Sequence, residues 1–211
     1  MDREDLGRRI YETAHLTGRF LLRSGATSEE YFDKYLFESD PVLLRAIAEA
    51  MAPLVPPSTD ALAGLELGGV PLATALSRET GLATRFVRKE AKAYGTCRLA
   101  EGGDVDGARL VVVEDVITSG GQVVMSCADL RERGAEVVRV LCVIDREAGG
   151  AAALEAAGLD LHALFTMTEL VAAQPAAAQP AAAQPAAAQP AAAQPAATQP
   201  AATQPAGPSS R

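Results

Sequence analysis

Five short apolar or alternating runs mark the chain at residues 61–67 (ALAGLEL), 84–88 (TRFVR), 110–113 (LVVV), 137–144 (VVRVLCVI) and 160–165 (DLHALF). Each has strand length and stops at a glycine, a charge or a polar turn. Helical periodicity fills several of the gaps: residue 69 to about residue 80, residues 122–133 and residues 148–157. Strands alternating with helices predict an α/β fold with a doubly wound, mainly parallel sheet, whose ligands sit at the carboxyl ends of the strands. Upstream, Leu6, Ile10, Ala14 and Thr17 form one apolar stripe and predict a helix over residues 3–17. An extended segment at residues 20–22, a turn at Ser24-Gly25 and a second short strand at Tyr31-Phe32 follow, as a small N-terminal hood. Asp40 as N-cap and Pro41 at the first helical position predict a helix over residues 42–52.

The pattern changes at residue 172. From there to the end the only charge is Arg211, and a five-residue unit repeats as AAAQP, drifting to AATQP. Such a segment has no large side chain to bury, and a proline every fifth residue blocks continuous helix and sheet. The period is far below the roughly 20–50 residues of repeats that stack into a core. Residues 1–171 are therefore expected to form the folded domain. Residues 172–211 are expected to be a disordered, partly polyproline II tail.

With 27 acidic against 19 basic residues the formal charge is −8, and no long Lys/Arg run occurs, which argues against nucleic acid as a partner. Cys97, Cys127 and Cys142 form no C-x-x-C pair, a pattern that suits neither a disulfide framework nor a zinc site and fits a reducing cytoplasm. No apolar stretch reaches membrane-spanning length, and the charged start, MDREDLGRRIYE, does not read as a signal peptide. His15 and His162 have no metal-ligand spacing.

The chemistry concentrates in residues 109–121, RLVVVEDVITSGG. An apolar strand runs into adjacent carboxylates, Glu114 and Asp115. After Val116 and Ile117 comes a small-residue turn, Thr118-Ser119-Gly120-Gly121, and then a helix from Gln122. Successive N–H groups at a helix start attract a phosphate, and the glycines allow positive φ and close approach. Carboxylates accept hydrogen bonds from vicinal hydroxyls, so the arrangement reads as a cradle for a ribose 5-phosphate. Neither G-x-x-x-x-G-K-[ST] nor G-x-G-x-x-G stands between this strand and helix. Read without function, the same residues are a buried strand, a β-turn and a surface acid pair.

VVVEDVITSGG resembles the phosphoribosyl diphosphate (PRPP) signature of the type I phosphoribosyltransferases. Three further segments, FLLRSGATSEEYFDKYLF (residues 20–37), FVRKEAKAYGTCRLAEG (86–102) and VIDREAGG (143–150), are similar to blocks of the orotate phosphoribosyltransferase family in the same order. The resemblance implies Mg²⁺-dependent transfer of ribose 5-phosphate from PRPP to orotate, in a homodimer with shared active sites. The ion would be held mainly by PRPP and water rather than by protein ligands.

By resemblance, Glu114 and Asp115 hold the ribose hydroxyls, and Val116, Ile117, Thr118, Ser119, Gly120, Gly121 and Gln122 form the 5′-phosphate loop. Gly68 and Gly69 form the diphosphate loop; some orotate enzymes carry a lysine at the position of Gly68. Arg88, Lys89 and Lys92 meet the diphosphate, with Lys92 on a loop that closes over the neighbouring subunit's site. Lys92 and Asp115 are the expected catalytic residues. Arg23, Thr118 and Arg146 would bind orotate, Arg146 through its carboxylate. Tyr94 stands where many members have histidine, and is read as part of the loop rather than as a proton donor. Taken alone, Gly68-Gly69 is as readily a helix-entry turn, Arg88 to Lys92 a solvated loop and Arg146 a strand-end charge. A phosphoribosyltransferase for another base, and a non-catalytic nucleotide-sensing regulator on the same fold, are the alternatives this resemblance leaves.

Overall fold

The computed structural model describes residues 1–21, 25–90 and 99–175. A six-stranded sheet has the order β5-β4-β3-β6-β7-β8, comprising β3 (Ala61–Leu65), β4 (Ala83–Val87), β5 (Ala100–Glu101), β6 (Arg109–Ile117), β7 (Glu136–Asp145) and β8 (Leu161–Thr166). All neighbours are parallel except β4 and β5. Successive strands run outward from β3 to β4 on one side and from β6 through β7 to β8 on the other, so the winding reverses between β3 and β6. That reversal opens a crevice at the carboxyl ends of the two central strands.

The expected α/β architecture is therefore present. Alternation along β6 divides the interior: Val111 and Val113 belong to one core with Leu6, Ile10, Ile47, Leu72 and Leu76. Leu110 and Val112 belong to the other with Val123, Leu130 and Leu154. One core is covered by α1 (Arg3–Ala14), α3 (Pro41–Met51), α4 (Gly69–Thr80) and α7 (Met167–Ala172), the other by α5 (Gly121–Glu132) and α6 (Gly150–Ala156).

Several boundaries differ from the periodicity. The first helix ends at Ala14 rather than Thr17, because residues 15–17 pair with residues 30–32: β1 (His15–Leu21) and β2 (Thr27–Phe32) form a separate antiparallel sheet. Thr17 is exposed, whereas Leu6, Ile10 and Ala14 are buried. Strand β3 stops at Leu65, two residues early, and α6 is shorter at both ends than residues 148–157. Strand β6 runs four residues past Val113, since Glu114, Val116 and Ile117 keep pairing with Cys142, Ile144 and Asp145 of β7. Its acid pair thus lies within a strand, not after one.

Four elements lay outside the sequence expectation: α2 (Lys34–Ser39), a 3₁₀ turn at Ala52–Leu54, the two-residue β5 and α7. Helix α2 starts at Asp33, whose side chain accepts from Tyr35 N–H, and is pinned by Phe37, which is wholly buried against the first core. Helix α7 carries a reciprocal cap between Thr166 and Glu169 and continues to Ala172, one residue past the boundary expected at 171. Beyond it Gln174 is buried, with its amide donating to Leu170 O at 3.0 Å. The AAAQP repeat lies outside the described residues from residue 176 onward.

Because Phe37 is the one fully buried side chain of so short a helix, Phe37→Ala should cost about 3–5 kcal/mol of stability. Urea unfolding measures it, and a loss under about 1 kcal/mol would show that α2 is held by something else.

Candidate active site

Asp115 is the centre of the site. It is fully buried at the carboxyl end of β6, with one carboxylate oxygen accepting the Val116 N–H at 2.5 Å. The other oxygen, Oδ2, lies 2.6 Å from the Lys34 ammonium, which reaches in from the first turn of α2. Four residues further along α2, on the same helix face, Glu38 is also buried next to this carboxylate.

Three carboxyl groups therefore share one place with a single ammonium among the described residues facing them. Burial drives Glu38 well above the ordinary carboxylate range, and the neighbouring Asp115 adds to the shift. Glu114 is pushed up for the same two reasons. Asp115 itself moves down: burial opposes ionisation, but hydrogen bonds with Glu114, Lys34 and Glu38 outweigh it. The cluster thus favours charge on Asp115, beside the Lys34 ammonium, and shifts Glu38 and Glu114 toward their protonated forms. Burial also works to neutralise Lys34, yet its contact with Asp115 raises its pKa.

Gly68 and Gly69, where β3 passes into α4, pack against this cluster. Gly68 has an ordinary helical φ of −68°, so the position does not need glycine's left-handed freedom. It needs the absence of a side chain: a Cβ there would overlap Asp115 Oδ2 and come within 2.9 Å of Glu38 Oε1. At Gly69 a Cβ would run into the Val113 carbonyl. The loop is thus packed against β6 by contact, and a larger residue at position 68 has no room in this arrangement.

On the other side of the acid pair, Thr118, Ser119, Gly121 and Gln122 are exposed at the start of α5. Gly120 is the N-cap with φ +74°, and no side chain caps the helix. The first N–H groups of α5 are accordingly available to an anion, with the helix dipole favouring negative charge. Val116 and Ile117 belong to β6, so of the expected loop they serve as strand rather than turn.

The remaining described candidates stand on the same rim. Arg146 follows β7 and is exposed, and its backbone N–H bonds Ile117 O at 2.9 Å, which ties it beside Thr118. Arg88 and Lys89 follow β4; the Arg88 guanidinium is 3.6 Å from Glu101, and Lys89 N–H bonds Glu66 Oε1 at 3.0 Å, linking this turn to the β3 turn. Arg23, Lys92 and Tyr94 lie outside the described residues.

Sequence reasoning missed Lys34 and Glu38. The usable signals were Asp33 as a helix cap, and the Lys34/Glu38 pair at helical spacing on either side of an apolar Leu36-Phe37. Nothing in the sequence indicated that this short helix meets Asp115.

Residues 38–155 match the phosphoribosyl transferase domain family. An orotate phosphoribosyltransferase of Nocardioides sp. is 53% identical over 167 residues, covering 79% of this chain and 93% of that protein. One from Halobacterium salinarum is 48% identical, covering 74% and 89%. Among solved structures, the orotate phosphoribosyltransferase of Mycobacterium tuberculosis in complex with Fe(III) dicitrate superposes with a TM-score of 0.74 at 34% identity, over 81% of this chain and 99% of that one. The same enzyme in complex with PRPP gives 0.69 at 31% identity, with the same coverage.

Gly68→Ala forces a methyl group onto the buried Asp115 carboxylate, so it should destabilise the protein by about 1–3 kcal/mol. The measurement is thermal or urea unfolding beside Gly81→Ala as a control, where a Cβ meets nothing within 4 Å and the strain comes only from a φ of +74°. Equal stability of the Gly68 variant and the parent would show that the loop stands clear of Asp115.

Proposed function

The chain belongs to the phosphoribosyl transferase domain family, among the orotate phosphoribosyltransferases, and on that premise we propose how its rim works. It transfers the ribose 5-phosphate of PRPP to N1 of orotate, giving orotidine 5′-monophosphate and diphosphate, a step of pyrimidine biosynthesis. The observation that carries the assignment of roles is the placement of the Glu114-Asp115 pair between an uncapped helix start and a side-chain-free loop on one rim.

The ribose hydroxyls donate to Glu114 and Asp115, and the 5′-phosphate sits on the α5 N-terminus among Thr118, Ser119, Gly120, Gly121 and Gln122. Backbone amides at Gly68 and Gly69 approach the diphosphate, with Arg88, Lys89 and Lys92 as its cations. As the bond to ribose C1 breaks, positive charge grows on the ring and negative charge on the departing diphosphate. Ionised Asp115 beside the ribose and Lys92 at the diphosphate then act where those charges develop. Arg146, Arg23 and Thr118 hold orotate, the carboxylate in the fork of Arg146.

The residues present fit a magnesium ion held chiefly by substrate. Asp115 is engaged by Lys34 and Val116 N–H, so a bound ion would be held by substrate oxygens and water rather than by this carboxylate. When bound, the ion supplies neutralisation of diphosphate charge.

The working form is a homodimer with shared sites, in which Lys92 serves the neighbouring subunit. The catalytic unit is residues 1–171 extended by the end of α7, and the repeat tail stands outside it. Nucleic acid and membrane play no part in this reading. Among the described residues no helix is long and apolar enough to cross a membrane, and Cys127 and Cys142 are buried free thiols, in keeping with a cytoplasmic enzyme.

The deciding assay is PRPP-dependent loss of orotate with formation of orotidine 5′-monophosphate, with and without Mg²⁺. Consumption that needs both PRPP and the metal is expected; PRPP turnover with another base but not orotate overturns the assignment. Arg146→Ala should raise the KM for orotate by the equivalent of about 2 kcal/mol while leaving PRPP nearly unaffected. Equal losses for both substrates would remove Arg146 from the orotate site. Asp115→Asn should lower kcat/KM for PRPP at least tenfold, since an amide oxygen accepts the ribose hydroxyls less strongly than a carboxylate; unchanged PRPP kinetics would take Asp115 out of the ribose site.

A further inference from the structure

Outside the residues so far given a role, α2 is the element in closest contact with the acid pair. Its one long cation, Lys34, makes a 2.6 Å ion pair with an aspartate of zero exposure, while its own side chain remains about a third exposed. Glu38, one turn on, borders the same carboxylate, and the Gly68 backbone packs against both so tightly that no Cβ fits. Asp115 Oδ2 is therefore met by both Lys34 and the glycine loop.

We propose that Lys34 is a positioning residue for PRPP binding: from α2 it keeps Asp115 ionised and aimed into the cradle, and yields Oδ2 to the ribose hydroxyl. The proposal takes from the functional reading only that Asp115 receives the ribose of PRPP. A buried carboxylate with two further carboxyl groups beside it takes a proton readily unless a cation stands near. Lys34 is that cation among the described residues, and its partial exposure leaves its ammonium a route to water when a hydroxyl takes its place.

The charged and titratable groups bearing on Asp115 come from three elements. Lys34 and Glu38 lie on α2, with Asp33 acting on Glu38 and Tyr35 on Lys34. Glu114 is its neighbour on β6, and from β7 comes the Cys142 thiol, which burial holds protonated and on which Asp145 also acts. The β3–α4 turn meets Asp115 through Gly68, while its carboxylate, Glu66, accepts the Lys89 N–H. A depressed carboxylate pKa protects function down to its own value, so binding that needs ionised Asp115 fails as pH falls through it. Removing Lys34 must raise that point.

The test is calorimetric titration of the full-length protein with PRPP alone, between about pH 4 and 8, for the parent, Lys34→Met and Lys34→Arg. PRPP's own ionisations are common to all three and cancel in the comparison. Lys34→Met should bring the acid limb of PRPP affinity up into this range, an affinity loss of about tenfold or greater at its acid end that narrows toward about pH 8, whereas the parent holds its affinity to lower pH. Lys34→Arg should restore the parental limb. If Lys34→Met does not fold, Lys34→Gln keeps a hydrogen-bond donor without the charge and must show the same displacement. Superimposable limbs, or an affinity loss equal at every pH, overturn the proposal, the second being what a purely structural role produces. Because orotate is absent, a parent that binds PRPP but does not consume orotate fails the functional reading alone; a parent that binds no PRPP fails both.

Discussion

The whole rim is organised around one carboxylate that has no access to water. Asp115 is carried to the end of the central strand by an apolar run that cannot be anywhere but inside, so its charge must be met by protein. Two consequences follow in the surrounding structure. The turn after β3 has to pass without a side chain, which is why Gly68 stands there with an unremarkable φ. A cation has to arrive from outside the sheet, and α2 brings it. The hood is thereby fastened to the catalytic sheet by an ion pair at the site itself.

This arrangement also assigns distinct electrostatic tasks to the two ends of the acid pair's strand. Upstream, β6 is buried on both faces between two apolar cores, which makes it a stiff rod. Downstream, the chain turns through Gly120 into a helix whose first amides are uncapped, a fixed positive end that no charged side chain supplies. Acceptors for hydroxyls and donors for a phosphate are therefore set a few residues apart on one rigid element. Such preorganisation is the property a site acting mainly by positioning and charge stabilisation requires. On the next strand outward Lys89 is tied back to Glu66, and Arg146 is tied to β6 through Ile117 O, so the cations of the rim are held to the same frame.

What could be read from residues alone was whatever depends on local pattern. Five of the six strands of the main sheet, the parallel winding and the strand–turn–helix around Glu114 to Gln122 follow from periodicity and from glycine and hydroxyl placement, and the family resemblance follows from short contiguous blocks. Strand ends were less legible. Glu114 to Ile117 look like a polar stop after Val113, yet they stay in the ladder because β7 is long enough to pair with them. Residues 15–17 continue a helical stripe, yet pairing across the hood draws them into a strand.

Tertiary structure alone decided the meaning of α2 and of Gly68. Lys34 and Glu38 draw no reading from the sequence, and Gly68 is as readily a helix-entry turn as a diphosphate loop, because nothing near them in sequence betrays Asp115, some eighty positions away for Lys34. Burial of a charge is a property of the assembled core, and the partner that compensates it is chosen by which surface element happens to cross that point. The chain itself determined that a carboxylate would stand at the end of a buried strand beside a small-residue turn into a helix; only the packing of α2 and of the β3 turn decided which ammonium meets it and which residue must have no side chain at all.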